Sequence, residues 1–212
     1  MSGWHVRRPV RRFIQLFVGL FLYGVGIAFI LRAELGAAPW DVLAQGLSLH
    51  IPLTFGMVTI VISGLVLVMW LPLRQKMGLG TILNALLVGP SADIALLVLP
   101  TAESWWLRGI FLALGITVLA AATGLYIGAQ FGPGPRDGLM TGLHDRTGWP
   151  IWVVRTGLEV TVVVIGWLLG GTAGVGTIAF ALLIGPLCQF FMRIFAVRLP
   201  QSPDATAAPT TG

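Results

Sequence analysis

The chain repeats part of its own sequence after a fixed interval of 96 residues. The segment GAAPWDVL that begins at Gly36 returns as GPGPRDGL at Gly132, and GLGTI at Gly78 returns as GVGTI at Gly174. No gap is needed between Gly36 and Pro90. Many of the repeated residues are Gly, Pro, Asp or Thr, which apolar segments do not share by chance. The pattern therefore predicts two structurally equivalent halves.

The composition places these halves in a membrane. Hydrophobic residues make up 56% of the chain and charged residues 10%, with a mean hydropathy of +0.90. A soluble globule could not bury so much apolar surface. The basic residues behind the net charge of +5 lie between apolar runs, so they indicate the lipid bilayer as partner and not a nucleic acid. The single cysteine and the scattered histidines have no metal-ligand spacing, so no metal or cofactor is expected.

Six apolar runs of about 19 residues are long enough to cross about 30 Å of hydrocarbon as helices. The last three lie 96 residues after the first three. Because each half then holds an odd number of spans, the second half should be upside down relative to the first. The sequence thus predicts an all-α membrane protein of six transmembrane helices, arranged as two inverted three-helix repeats, each with an extra short helix. The predicted spans are Phe13 to Leu31, Phe55 to Leu73, Thr81 to Leu99, Gly109 to Ile127, Ile151 to Leu169 and Thr177 to Phe195.

The same pattern divides the chain into segments. Most Lys and Arg residues fall on the side that the two termini share, which predicts that both termini are cytoplasmic. The tail is rich in Pro, Thr and Ala and is expected to be disordered. The predicted segments are a basic N-terminus (1–12), repeat 1 (13–99), a linker (100–108), repeat 2 (109–197) and the C-terminal tail (198–212).

The two short helices are predicted from Pro39 to Leu49 and from Pro135 to Asp145. Pro suits the first helical position and Asp the first turn, and a length of about 16 Å is too short to span a bilayer. The helices could be re-entrant and line a cavity from opposite faces, or they could lie in the interface with a wet polar face. Arg136 could attract an anion or pair with Asp137. The polar residues at helical spacing are Asp41, Gln45 and Ser48 in the first copy and Asp137, Thr141 and His144 in the second.

A Gly-Pro pair falls near the middle of the third and of the sixth span. Proline lacks the N–H that would bond the carbonyl four residues earlier, so both helices are expected to break at matching depths. Paired interruptions of this kind are typical of a transporter's binding site. A simple kink that improves helix packing is the alternative. The substrate-binding residues expected here are Asn84, Gly89, Pro90 and Asp93 in the first copy, and Gly185, Pro186 and Gln189 in the second.

Arg155 and Glu159 stand four residues apart on the fifth span and share one helical face. Ionisable side chains inside a membrane are costly, so they usually face an interior cavity and serve a function. We expect both residues to bind substrate and Glu159 to carry a coupling proton. The alternative is that Arg155 extends to the cytoplasmic surface and takes Glu159 with it.

The doubled Gly-x-x-Pro-x-Asp-x-Leu motif at Gly36 and Gly132, followed by Gly-x-Gly-Thr at Gly78 and Gly174, resembles the YczE/YitT family of bacterial inner-membrane proteins. The resemblance runs from about Phe13 to Val197, and the short tail favours the YczE branch. It implies a protein of several spans in the inner membrane and a transport role, without naming a substrate.

Three functions fit these observations. The first is a secondary transporter that moves a small polar or zwitterionic solute by alternating access, with a proton as a possible coupling ion. The second is a non-transporting membrane binding or assembly protein, or the partner of a sensor, and the third is a passive channel. No phosphate loop, nucleophile with its base or pair of catalytic acids has a recognisable spacing, so we do not expect an enzyme or an ATP-driven pump.

Overall fold

The protein folds as α-helices only, without strands, over residues 9–195, which are the residues that this computed structural model describes. Six of its helices are long and apolar enough to cross a membrane, and two are short. This confirms the predicted all-α membrane protein with six candidate spans. The helices are α1 (Pro9–Ala33), α2 (Pro39–Ser48), α3 (Phe55–Leu73), α4 (Leu79–Val98), α5 (Trp105–Gly128), α6 (Pro135–Thr147), α7 (Ile151–Leu168) and α8 (Val175–Phe195).

Several helices extend past the predicted spans. Helix α1 begins at Pro9 within the predicted N-terminal segment, and α5 begins at Trp105 within the predicted linker. Hydropathy marks the part of a helix that matches the hydrocarbon layer, whereas backbone hydrogen bonding continues into the polar interface. Arg12 illustrates this, because it lies on the added first turn and donates from Nε to the Ala129 carbonyl at 2.8 Å. The predicted tail, 198–212, lies outside the described residues.

The prediction that α4 and α8 break at their Gly-Pro pairs is wrong. Helix α4 continues through Pro90 and α8 continues through Pro186. Each proline removes one backbone hydrogen bond, but the bonds on either side remain and hold the helix together. A bilayer offers no water to satisfy further unpaired backbone groups, so a wider break would be costly.

Helices α1 and α5 pack along each other and form the centre of the protein, with α4 on α1 and α8 on α5. Small residues permit this close approach. A Cβ added at Gly26 would lie 2.9 Å from the Leu119 backbone nitrogen, and one at Gly115 would lie 2.9 Å from that of Ile30. Gly24 makes the corresponding contact with α4. Close packing at small residues is the usual source of helix association in membranes.

The two short helices each pack against a span from the other half of the chain: α2 against α7, and α6 against α3. The indole of Trp70 on α3 fills the space above Gly138 of α6, and its Nε1 donates to the Pro135 carbonyl at 3.0 Å. In the other pair the long helix supplies the small residue and the short helix the larger one, since Gly166 of α7 lies against Val42 of α2. Trp70 and Gly166 are 96 residues apart, as are Val42 and Gly138.

The repeated Gly-x-Gly-Thr segments position the loops that precede α2 and α6. Gly80 N–H donates to the Phe131 carbonyl at 2.8 Å, and Gly176 N–H, 96 residues later, donates to the Leu35 carbonyl at 2.7 Å. Each loop also contains a repeated glycine with a φ near +119°, at Gly36 and Gly132. L-residues rarely adopt this φ, which explains why glycine occurs at both positions.

Candidate functional site

The first turns of α2 and α6 meet at a cavity of about 320 Å³. Its walls also include side chains of α1, α5, α7 and α8. The apolar part of the wall comes mainly from α5 and α8. Five charged side chains line the cavity: Asp41, Arg136, Asp137, Arg155 and Glu159.

Asp41 and Arg136 connect the two short helices. Nη2 of Arg136 lies 3.3 Å from Oδ1 of Asp41, whose residue is only 1% exposed. The guanidinium also lies over the Trp40 ring, 5.4 Å from its centroid. Burial raises the pKa of Asp41, and the charge of Arg136 opposes that shift. Arg136 therefore pairs with the acid of the opposite short helix and not with its neighbour Asp137.

Asp137 is held by hydrogen bonds without an ion pair. The Tyr126 hydroxyl donates to its Oδ2 at 3.1 Å, and the Gly134 backbone also donates to its carboxylate. Burial raises the pKa of Asp137, while the Tyr126 hydrogen bond and the charges of Arg155 and Arg136 act in the opposite direction. Within residues 9–195, the ion pairs of Arg108, Arg136 and Arg155 are all with other acids, and none is with this one.

Arg155 and Glu159 form the predicted pair on α7, with 2.9 Å between Nε and Oε1. Their side chains are 48% and 27% exposed, and both line the cavity. Across the cavity, α8 contributes Gly185 and Gln189. Six predicted residues of the second copy therefore line one site together with Asp41 of the first copy: Arg136, Asp137, Arg155, Glu159, Gly185 and Gln189.

The substrate-binding residues predicted on α4, in the first copy, lie elsewhere. Asp93 of α4 accepts hydrogen bonds from the Thr54 hydroxyl at 2.5 Å and from the Gly56 backbone N–H at 2.8 Å. Gly89 packs against Gly56 with no room for a Cβ on either residue. These groups hold α3 against α4 and are not part of the described cavity wall. Three other predicted residues, Pro90, Asn84 and Pro186, also lie outside that wall.

The remaining polar residues of the short helices serve local contacts. Gln45 accepts a hydrogen bond from the Thr172 backbone at 2.7 Å, and Thr141 donates to the Gly138 carbonyl of its own helix at 3.1 Å. His144 Nδ1 lies 2.7 Å from the Trp149 carbonyl oxygen. Within the described residues, the short helices reach the cavity with their first turns and with Met140 of the second turn of α6.

Sequence reasoning missed the aromatic side of the site. Tyr23, Trp40 and Tyr126 line the cavity, and the two tyrosine rings lie edge to face with 6.0 Å between centroids. Aromatic residues are common in membrane helices, so their spacing along the chain carries no signal that these three meet. Only the tertiary structure, in which α1 packs against α5 and the first turn of α2 meets both at the cavity, brings them together.

Residues 10–193 match the model of a family described as a family of unknown function, DUF6198. The chain belongs to the DUF6198 family. An uncharacterized protein of Haemophilus influenzae is 39% identical over 188 residues, which cover 89% of this chain and 86% of that protein. The uncharacterized membrane protein YczE of Bacillus subtilis is 33% identical over 195 residues, covering 91% of this chain and 87% of YczE. No solved structure shows significant similarity to the chain.

A third relative, the uncharacterized protein YyaS of Bacillus subtilis, is 28% identical over 181 residues, which cover 84% of this chain and 90% of YyaS. The match to YczE confirms the resemblance that the doubled motif indicated. This DUF6198 chain is therefore a membrane protein of the YczE type, in agreement with its six apolar helices.

Proposed function

We propose that this DUF6198 protein is a secondary transporter that moves a small polar or zwitterionic solute across the bacterial inner membrane by alternating access. One observation carries the proposal: of two equivalent helix pairs, one is closely packed, whereas the other is open and lines the charged cavity. Helices α3 and α4 are in close contact, whereas α7 and α8, which occupy the same places 96 residues later, make hardly any contact over the described residues.

The equivalent contacts support an inverted repeat. The Gly80–Phe131 hydrogen bond runs from the first half of the chain to the second, and the equivalent Gly176–Leu35 bond runs from the second half to the first. A pseudo-two-fold axis between the halves would produce such a pair. With three spans in each half, such an axis would lie in the membrane plane and relate the two halves by inversion. The site would then lie between the halves, where both short helices begin.

The closed pair would block one access route. The Asp93 carboxylate bonds α4 to the start of α3, and the Gly56 and Gly89 backbones touch. In the second half, Gly185 has no neighbour within 4 Å of where its Cβ would be, and Trp152, which replaces Gly56, is 70% exposed. Closure of α7 against α8 together with separation of α3 from α4 would expose the cavity to each side in turn.

The basic residues suggest which side is open. Arg12, Arg74 and Arg146 lie at the end of the protein where α1 begins and α3 ends, and the positive-inside rule would make that end cytoplasmic. Both termini would then be cytoplasmic, and the gap between the start of α7 and the end of α8 would face the cytoplasm. In this arrangement the structure would correspond to the inward-facing state.

The cavity lining favours a solute that carries charge. It offers acids and arginines within one small volume, so it can bind groups of either sign. A nucleotide-binding motif does not occur in the sequence, so an ion gradient or the gradient of the solute itself would supply the energy. We propose no enzymatic activity.

Transport is tested with purified protein in proteoliposomes. Amino acids, betaines and amines that raise its melting temperature would be used as radiolabelled solutes. Saturable uptake that requires the protein supports transport. Ligand binding without flux would indicate a non-transporting binding protein, and non-saturating conductance would indicate a channel.

The membrane orientation needs its own test. In a Cys188→Ala background, Ser48→Cys and Thr172→Cys should react with an impermeant thiol reagent added outside cells. Gln75→Cys should react only after permeabilisation. Labelling of Gln75→Cys from outside would contradict the inverted arrangement.

A further inference from the structure

The cavity wall contains more acidic side chains than basic ones. Asp41 pairs with Arg136, and Glu159 pairs with Arg155. The third acid of the cavity wall, Asp137, has no ion-pair partner among residues 9–195. The site therefore holds one acid more than it holds arginines, and a bound cation would neutralise the excess.

The surroundings of Asp137 suit a cation. Tyr126 of α5 holds the carboxylate in place, and Tyr23 of α1 packs its ring edge to face with the Tyr126 ring. Trp40 of α2 lines the same wall, and the guanidinium of Arg136 already lies over its ring. Aromatic faces attract an ammonium group through their quadrupole, most strongly where water is excluded.

Other titratable and charged groups also face Asp137. Arg136 precedes it on α6, and Arg155 and Glu159 lie on α7. Asp41 of α2 and Cys188 of α8 complete the set, with Tyr23 and Tyr126. Both arginines are within electrostatic range of Asp137, but each is bonded to another acid.

Building on the transport function proposed above, we propose that Asp137 is the cation-binding carboxylate of the cavity, where a proton and an ammonium group of the solute compete. In the protonated state Asp137 is a neutral acid. When the ammonium group enters, the acid O–H bond breaks and the proton leaves to water on the side to which the cavity is open. The carboxylate then accepts hydrogen bonds from the ammonium group.

This exchange conserves charge, because one proton leaves for each monovalent cation that binds. Repeated on both sides of the membrane, it gives electroneutral antiport of one proton against one cation. It also assigns the coupling proton to Asp137, in place of Glu159, which the sequence suggested and which Arg155 engages at 2.9 Å.

The test uses the intact purified protein, with benzylamine as the ammonium probe and benzyl alcohol as its uncharged isostere. Infrared difference spectroscopy follows the carbonyl stretch of protonated carboxyl groups during a pH titration. We expect an absorption band of a protonated carboxyl group, the acid band, that disappears when benzylamine is added and remains when benzyl alcohol is added. It should be absent from Asp137→Asn and present in Asp145→Asn, which changes an exposed acid further along α6.

Calorimetry in two buffers of different ionisation enthalpy measures the protons released. We expect close to one proton per benzylamine bound at a pH where the acid band is present, and at least a tenfold loss of benzylamine affinity in Asp137→Asn. An acid band that persists in Asp137→Asn, or that benzylamine leaves unchanged in the wild type, would overturn the proposal.

The two proposals can fail separately. If benzylamine and protons compete at Asp137 but no solute crosses the membrane, the transport function is wrong and the cation site stands. If saturable transport is observed while Asp137→Asn still couples it to a pH gradient, the transport function stands and the cation site is wrong.

Discussion

Helices α3 and α4 form a sealed pair, whereas α7 and α8 stand apart. In α3 and in α4, 39% of the apolar 18-residue stretch of the helix is buried inside the protein, against 17% of the same stretch in α7 and in α8. The two pairs follow the same order in sequence and carry the same Gly-Pro pair in their second helix. One sequence pattern is therefore compatible with two packing arrangements.

The contact residues explain the difference. In the sealed pair, Gly56 brings the two backbones together and Asp93 bonds across the junction. At the equivalent positions the other pair has Trp152 and Gln189. An indole cannot approach Gly185 as closely as Gly56 approaches Gly89, so α7 and α8 need a different arrangement to close. The comparison suggests that the first half provides the tighter seal.

The largest effect is expected from cross-linking the sealed pair. In a Cys188→Ala background, Thr54→Cys/Asp93→Cys should oxidise to a disulfide almost completely, because the native side chains are in hydrogen-bond contact. Transport should then be abolished and should return on reduction. The equivalent pair, Pro150→Cys/Gln189→Cys, should form little disulfide, as gel mobility would show. Equal oxidation of both pairs would remove the asymmetry.

A glycine-to-alanine comparison sharpens the same contrast. Gly89→Ala places a methyl group against the Gly56 backbone and should destabilise the protein by about 1–3 kcal/mol. Gly185→Ala meets open space and should stabilise α8 by about 0.5–1 kcal/mol. Thermal unfolding in detergent measures both as shifts of the apparent Tm in opposite directions. Shifts in the same direction would mean that α7 and α8 are packed in solution.

Asp93→Asn should loosen the sealed pair without removing its side chain. The amide can accept from only one of the two donors, so one charge-assisted hydrogen bond is lost, at a cost of about 1–2 kcal/mol. We expect a lower apparent Tm for this variant in detergent. Gln189→Asn is the matched control in α8 and should leave the apparent Tm unchanged.

The smallest effect is expected from replacing Trp152 of α7 with glycine, the residue at the equivalent position 56 of α3. Trp152→Gly removes an exposed indole and lets α7 approach Gly185 more closely. This should shift the population of closed α7–α8 pairs by less than about tenfold, or about 1.4 kcal/mol. Spin labels on α7 and α8 would report a larger fraction of short distances. An unchanged distribution would show that the indole does not keep the pair apart.

Much of the architecture is determined by sequence alone. Helices, spans and short segments follow from apolar run length and from the fixed positions of Pro, Gly and Asp, which act over a few residues. Arg155 and Glu159 could be placed on one face because four residues make about one helical turn. The repeat identified equivalent positions before any contact was known.

Only the tertiary structure decided how those positions are used. The Asp41–Arg136 ion pair joins residues 95 positions apart, and neither local pattern specifies the other as its partner. The same holds for Asp93 and Gln189, which are equivalent in sequence but seal a helix pair in one half and line a cavity in the other. Local periodicity determines which face a side chain occupies. Which helix meets that face depends on the packing of the whole bundle, where small differences in side-chain volume select between arrangements.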